Sequence, residues 1–425
     1  MTVQAVHHPS ARIGSPRSNT FSLACFGLLV ANLGFMAALI LHREWIVDAA
    51  GTPFHTDFTS VYAAGRLALE GHAGAAYDWS LHYAAENAVV PHDYAAYLGW
   101  HYPPPFLMIA ALLAALPYGI AFLVWVAVTL PLYLVSVRAV VGDKIGWLIG
   151  GAIPCLLPNI VSGQNGLFTA ALIGGTLVLL PSRPILAGCC LGLLTYKPQF
   201  GILFPLLLVA GGYWRAMAAA AVSACLLALA TIVVFGVAPW TEFLHWLPLT
   251  SHALFAQDSP IHMDWSKFQS LFALVRLTGG SAALAWTLQV TLTAVVALVL
   301  FLMWRSRRIA YELKAAAAAA GVLLATPYVY LYDLAIVAVA VGFLLRAALR
   351  TDFVAGEAGV LALGAVLLMF MPFFGVPVGL MAVAIVALLI ARRAVTSRRA
   401  AARYRTGPLG VSAPPRFESC VLRGA

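Results

Sequence analysis

The residues best placed to do chemistry in this chain lie between His55 and Trp79, where Asp57 is flanked by His55, Tyr62 and Arg66. Only 10% of the 425 residues are charged, so a carboxylate at the edge of a long apolar run is the first place to seek a reactive group. Partial desolvation beside a hydrophobic cavity raises a carboxylate's pKa towards working pH and suits it to take a proton from a hydroxyl. The plainer role is to cap the helix that Ser60-Val61-Tyr62 begins, because Asp is a favoured N-cap residue. Lys197 is the second singular residue. It sits in an apolar region just before Pro198, where an unpaired ammonium is costly. It either snorkels to the nearest interface or meets an anion, and an ammonium suits a lipid phosphate as a point charge.

The third candidate is the segment from Thr326 to Asp333, with Tyr328, Tyr330, Tyr332 and Asp333 between two apolar runs. Such tyrosines either form an interfacial belt or stack on and hydrogen-bond a sugar. Gln164 and Asn165, in the interruption Ser162-Gly163-Gln164-Asn165, offer further hydrogen bonds to a sugar or phosphate, or are an ordinary interhelical turn. His72, His82, His92 and His101 stand about ten residues apart. That spacing matches no compact ligand pattern, so no metal site is expected. The chain shows no nucleotide-binding glycine loop and no Asp-x-Asp motif suited to a nucleotide sugar, and no cofactor is expected.

These residues must be positioned by membrane helices. With 62% hydrophobic residues and a mean hydropathy of +0.91, the chain exceeds the roughly 45–50% apolar content of soluble globules. It reads as an all-α polytopic membrane protein. The net charge of +9 is concentrated at Arg305, Arg307 and Arg308 and from Arg392 to Arg405. Basic residues flanking apolar spans mark cytoplasmic loops and sit against anionic headgroups, which argues against nucleic acid as a partner. The six cysteines fall almost wholly inside apolar segments, so no structural disulfide is expected.

The pattern divides the chain into a cytoplasmic tail (1–20), a transmembrane domain (21–391) and a basic cytoplasmic tail (392–425). The run 21–41 has about the length that crosses a bilayer, and reads as a retained first span. Two outer loops, 42–102 and 236–268, are rich in His, Tyr, Trp and Asp. Within the first, 60–70 and 80–96 show the apolar spacing of short interfacial helices that would wall a cavity. The proline-rich stretch 102–141 holds one span, or a re-entrant piece plus one span. The apolar pieces 145–161, 166–180, 185–196 and 200–211 are broken at 162–165 and 197–199, with both breaks facing outward. Short, broken helices are tolerated where they line a cavity. Further spans at 216–235, 283–304, 315–327, 334–349, 358–371 and 376–391 bring the count to about twelve transmembrane helices, with both termini inside.

Taken in order, Asp57-Phe58, Tyr62-Ala63-Ala64-Gly65, Leu69-Glu70-Gly71, Ala76-Tyr77-Asp78, Tyr102-Pro103-Pro104-Pro105, Gly163-Gln164-Asn165, Gly192 to Gln199 and Pro327 to Asp333 resemble glycosyltransferase family 87. This family belongs to the C-type membrane glycosyltransferase superfamily and comprises polyprenol-phosphate-mannose-dependent mannosyltransferases. The resemblance runs from about 21 to 349. It implies an enzyme of the plasma (inner) membrane that takes a sugar from a polyprenyl-phosphate donor on the outer face. The sugar passes, with inversion, to a hydroxyl of a glycolipid or glycan acceptor. Asp57 matches the acid of the family's first outer loop, which implies a general base. Lys197 and Arg66 are the candidate partners of the donor phosphate. Tyr62, Gln164, Asn165, Gln199, Tyr328, Tyr332 and Asp333 are the candidate sugar or acceptor ligands. Tyr328 stands where some members carry a histidine after the proline of the late motif.

The competing reading is a transporter or flippase of a lipid-linked saccharide, since broken helices and a lysine at membrane depth also suit a translocation path. A transporter should show a second half with corresponding broken segments, and no such repeat stands out over 236–391. A structural partner of a glycan-synthesis complex is a third reading, and it would need neither Asp57 nor Lys197.

Overall fold

The computed structural model of the chain describes residues 16–91, 99–255, 264–351 and 353–406. His92, Asp258, His262, Cys420, the end of the 80–96 stretch and the outer parts of both tails lie outside these residues. The described residues are helical, with isolated β-bridges as the only extended pairing among them.

Helix α1 (Pro16–Leu41) carries the first apolar run, and α2 (Asp57–Leu69) and α3 (Trp79–Val89) form in the first polar segment. The stretch 102–141 becomes a short apolar helix, α4 (Pro105–Ala114), followed by the long α5 (Tyr118–Val141). Pro105 stands in the first turn of α4, where a missing N–H costs nothing. α6 (Ile145–Ala152) and α7 (Leu156–Ser162) meet at a bend of 62°. The chain continues through α8 (Gly166–Leu179), α9 (Pro184–Leu193), the four-residue α10 (Pro198–Gly201), α11 (Phe204–Gly211) and α12 (Trp214–Phe235).

The segment 236–268 was expected to be a loop, but it contains a further helix, α13 (Ala238–Phe255). Its aromatic residues find tertiary partners: Phe243 meets Tyr77 edge-on at 5.7 Å and Trp246 packs on Trp79 at 5.5 Å. α14 (Leu271–Leu277), α15 (Ala282–Arg305), α16 (Tyr311–Ala325), α17 (Val337–Thr351), α18 (Glu357–Phe374) and α19 (Val378–Thr406) complete the order. α19 continues past residue 391, so the basic tail starts as helix. Arg393 turns inward to a buried ion pair with Glu357 and a hydrogen bond to Thr351.

Six helices among the described residues are long and apolar enough to cross a membrane, or seven if α6 and α7 form one bent span. The other crossings in the count of about twelve fall mainly on apolar helices of 10–17 residues, such as 166–179 and 184–196. Length alone does not make these spans.

One end of the helix bundle is basic. Arg346 donates to the carbonyls of Ala139 and Val140 at the C-terminus of α5, which have no helical partners of their own. Nearby, Arg350 of α17 pairs with Glu312 at the start of α16. At their opposite ends these helices meet a different set of groups. The Tyr118 hydroxyl at the start of α5 bonds Thr59 of α2 at 3.1 Å, and α16 and α17 are joined through the tyrosine segment.

Candidate active site

Asp57 is the first residue inside α2, and capping falls to Thr56, whose backbone N–H donates to Thr59 Oγ1 at 3.2 Å in a capping box. The Asp57 carboxylate is therefore not used as a cap. Phe58, the next residue, points the other way and is fully buried against Phe122 and Tyr118, at 5.0 and 5.7 Å. This anchor fixes the start of α2 and leaves Asp57 on the wall of a cavity of about 750 Å³. Such a volume is at the upper end of the roughly 300–1,000 Å³ of small-molecule sites. Asp57 is exposed to the cavity, and protein crowds around the carboxylate on its other sides. That desolvation pushes it above the ordinary carboxylate range, while a hydrogen bond from Gln164 and the charges of His55 and Lys197 pull it partly back.

The cavity is walled by four stretches besides α2, with Gly375 at its edge. The first runs from Gly99 to Tyr102, the second takes in Pro158, Val161, Ser162 and Gln164, and the third includes Tyr328, Tyr330, Leu331 and Tyr332. Asp264, Ser266, Lys267 and Gln269 form the fourth and add polar groups from the segment before α14.

Gln164 reaches the cavity because α7 ends in a left-handed turn at Gly163, with φ +66, where a Cβ would strike Phe58 and Phe122. Gly166 starts α8 hard against the backbone of Tyr332, where any side chain would collide with the Tyr332 carbonyl. Between them Asn159 acts as a clasp. Its amide nitrogen donates to the carbonyls of Cys155 and Tyr332 at 2.8 and 2.9 Å, and its oxygen accepts from Leu167 N–H at 3.2 Å. Sequence reasoning passed over Asn159, and only its place in the interrupted segment hinted at it.

The tyrosine segment is held from both sides. Phe268 and Tyr330 form a β-bridge, and Gln269 N–H donates to the Val329 carbonyl at 2.8 Å. Tyr330 and Tyr332 stack with ring planes 4° apart and centroids 5.3 Å apart. Behind them Lys197 Nζ donates to Asp333 Oδ1 at 2.7 Å and lies 4.9 Å over the Tyr332 ring. Asp333 Oδ2 in turn accepts from the Tyr330 N–H at 3.0 Å. Lys197 and Asp333 are 3% and 0% exposed, so the ammonium neither snorkels nor borders the cavity. Its charge is met by Asp333, and the two together brace the tyrosine turn.

Beside Asp57 lies an ionisable cluster that the sequence did not bring together. Glu86 is buried between His55 at 3.8 Å and His82 at 3.7 Å. Burial pushes Glu86 up, but the nearby His55 and His82 and a hydrogen bond from Ser60 outweigh it and hold the carboxyl below its usual range. His101, on the cavity wall, is drawn down to about 4 by burial and by His82, so it is neutral near pH 7.

The other expected site residues stand apart. The Tyr62 hydroxyl donates to the Leu116 carbonyl at 2.9 Å in the α2–α4 contact. Arg66 is half exposed and pairs with Glu70 at 2.8 Å. Neither borders the cavity. Asn165 is buried facing Tyr102, without a well-formed hydrogen bond from its amide. Gln199 is half-buried, and it too is not on the cavity wall. Of the candidates, Asp57, Gln164, Tyr328 and Tyr332 share one cavity, and Asp333 and Lys197 support it from behind.

No curated protein and no solved structure matches the chain. A family model for glycosyltransferase family 87 matches residues 100–327, a narrower stretch than the resemblance from 21 to 349. It takes in Gln164 and Lys197 and stops at Pro327, with Tyr328 to Tyr332 just past its end and Asp57 well before its start. Because that match spans more than half of a chain rich in membrane-length apolar helices, the chain belongs to glycosyltransferase family 87 and is a membrane glycosyltransferase.

Proposed function

We propose that the protein moves a sugar, mannose by the family resemblance, from a polyprenyl-phosphate donor to a hydroxyl of a glycolipid or glycan acceptor. The observation that carries this reading is the Asp57 carboxylate, which opens into a large cavity between the Gln164 amide and the tyrosines. As the acceptor oxygen attacks the anomeric carbon, the bond from that carbon to the phosphate oxygen breaks. The electron pair leaves with the polyprenyl phosphate, and Asp57 takes the acceptor proton. Attack from the face opposite the leaving group inverts the anomeric centre. A well-placed base contributes roughly 10²–10⁴-fold. The phenols of Tyr328, Tyr330 and Tyr332 on the cavity wall suit hydrogen bonds to a sugar.

The cavity lies at the end of α5, α16 and α17 opposite the arginines, which favours an outer-face site in the plasma membrane under the positive-inside rule. The shorter apolar helices would then complete about twelve crossings.

The test is a donor screen with the purified protein and a glycolipid acceptor, with products read by mass spectrometry. Glycosylated acceptor should form with polyprenyl-phosphate mannose and not with nucleotide-linked mannose. Turnover with the nucleotide sugar alone would refute the lipid-phosphate donor.

A further inference from the structure

The geometry points to Lys267 as the cation that holds the phosphate of the lipid-linked donor, an assignment that rests on the transfer reaction proposed above. When the sugar departs, the phosphate gains a negative charge, and a fixed cation beside it lowers the barrier. The segments that build or border the cavity, 42–102, 153–166, 194–201, 236–281, 326–336 and 375–378, contain five lysines and arginines: Arg43, Arg66, Lys197, Lys267 and Arg276. The undescribed residues 92–98 and 256–263 contain none.

Four of the five are committed elsewhere or off the cavity. Arg66 is paired with Glu70, and Lys197 is neutralised by Asp333 behind the tyrosines. Arg276 donates to the Gly280 carbonyl at 3.0 Å and lies over the Trp265 ring. Arg43 is exposed and is not on the cavity wall. Lys267 does border the cavity. Its nearest anion is Asp264 at 3.7 Å, with the two side chains 69% and 54% exposed, and such an open pair holds the ammonium only weakly.

Lys267 is nevertheless carried on a fixed turn. Asp264 caps it by accepting from the Ser266 N–H at 3.1 Å, and the next residue, Phe268, is bridged to Tyr330. The Gln269 side chain donates to the carbonyls of Ser266 and Lys267 and accepts from the Gly379 N–H at 2.8 Å. The backbone that carries Lys267 is thereby tied to the tyrosine wall, while Asp57 enters from α2. A phosphate on Lys267 would leave the sugar between the cation and the base.

The experiment is a calorimetric titration of the full-length protein in detergent with farnesyl monophosphate, with farnesol and inorganic phosphate as separate arms. Wild type should prefer farnesyl phosphate to both. Lys267→Ala and Lys267→Gln should each weaken farnesyl phosphate binding by about tenfold or more, the size of a lost charge-assisted contact. Both should leave farnesol binding unchanged, and Lys267→Arg should retain most of the affinity. Undiminished phosphate preference in both neutral variants would overturn the assignment to Lys267 and leave the lipid-phosphate donor standing. A wild type that binds farnesol as tightly as farnesyl phosphate would overturn that donor as well. Inorganic phosphate binding as tightly as farnesyl phosphate would make this a free-anion site and also overturn it.

Discussion

Two carboxylates flank the same tyrosine wall, and their surroundings are opposite. Asp333 is sealed inside, with one oxygen on the Lys197 ammonium and the other on the Tyr330 N–H. Asp57 opens into the cavity and, among the described residues, has no ammonium or guanidinium in contact; the Gln164 hydrogen bond and the more distant charges of His55, Lys197 and Glu86 act on it. A carboxylate whose two oxygens are both taken by an ion pair and a backbone N–H holds structure. One that is desolvated without a close counter-charge is free to change protonation state, which general base catalysis requires.

This contrast predicts distinct failures. In stability, the largest effect should come from the sealed pair. Lys197→Ala leaves Asp333 charged and buried, and should cost about 3–5 kcal/mol, read by thermal unfolding in detergent. The double substitution Lys197→Met with Asp333→Leu should recover most of that loss, because well-packed apolar groups often replace a buried pair at little cost. A double variant as unstable as the single would mean that packing, not charge, is at fault.

A smaller effect should appear in the pH dependence of transfer. Asp57 must be ionised to accept a proton, so activity is present above its pKa and falls as pH drops through it. Because burial raises that pKa, the acid limb should begin at a higher pH than an ordinary carboxylate would give. The Glu86 charge raises it further, so Glu86→Gln should move the limb to lower pH. A limb that moves upward or stays in place would separate Glu86 from Asp57. The smallest effect is expected at Arg66. Its half-exposed pair with Glu70 predicts a change of less than about 1 kcal/mol in stability for Arg66→Ala and no change in turnover.

Much of the scaffold was legible because apolar runs, prolines and glycines act locally. α2 and α3 fell where helical spacing put them, and the breaks at Gly163 and Lys197-Pro198 are real interruptions. Asp57 stood out as a carboxylate in a charge-poor chain. The pairing of Lys197 with Asp333 was not legible, because it joins residues 136 positions apart and nothing in either neighbourhood names the other. A separation of 173 positions likewise hid the Asn159 clasp to Tyr332, whereas His82 and Glu86 are neighbours on one turn of α3 and form a cluster only once the fold brings His55 to them. α13 was missed because its tryptophans and histidines resemble an interfacial loop until Trp79 is seen packing on Trp246 and Tyr77 on Phe243.

The most direct test compares Asp57→Asn with wild type in a single-turnover assay using radiolabelled polyprenyl-phosphate sugar and lipid acceptor, with donor binding and thermal stability measured on the same preparations. The amide keeps the shape but cannot take the proton, so transfer should fall by roughly 10²–10⁴-fold, with donor affinity and stability close to wild type. Unchanged transfer in a variant that still binds donor would contradict Asp57 as the base.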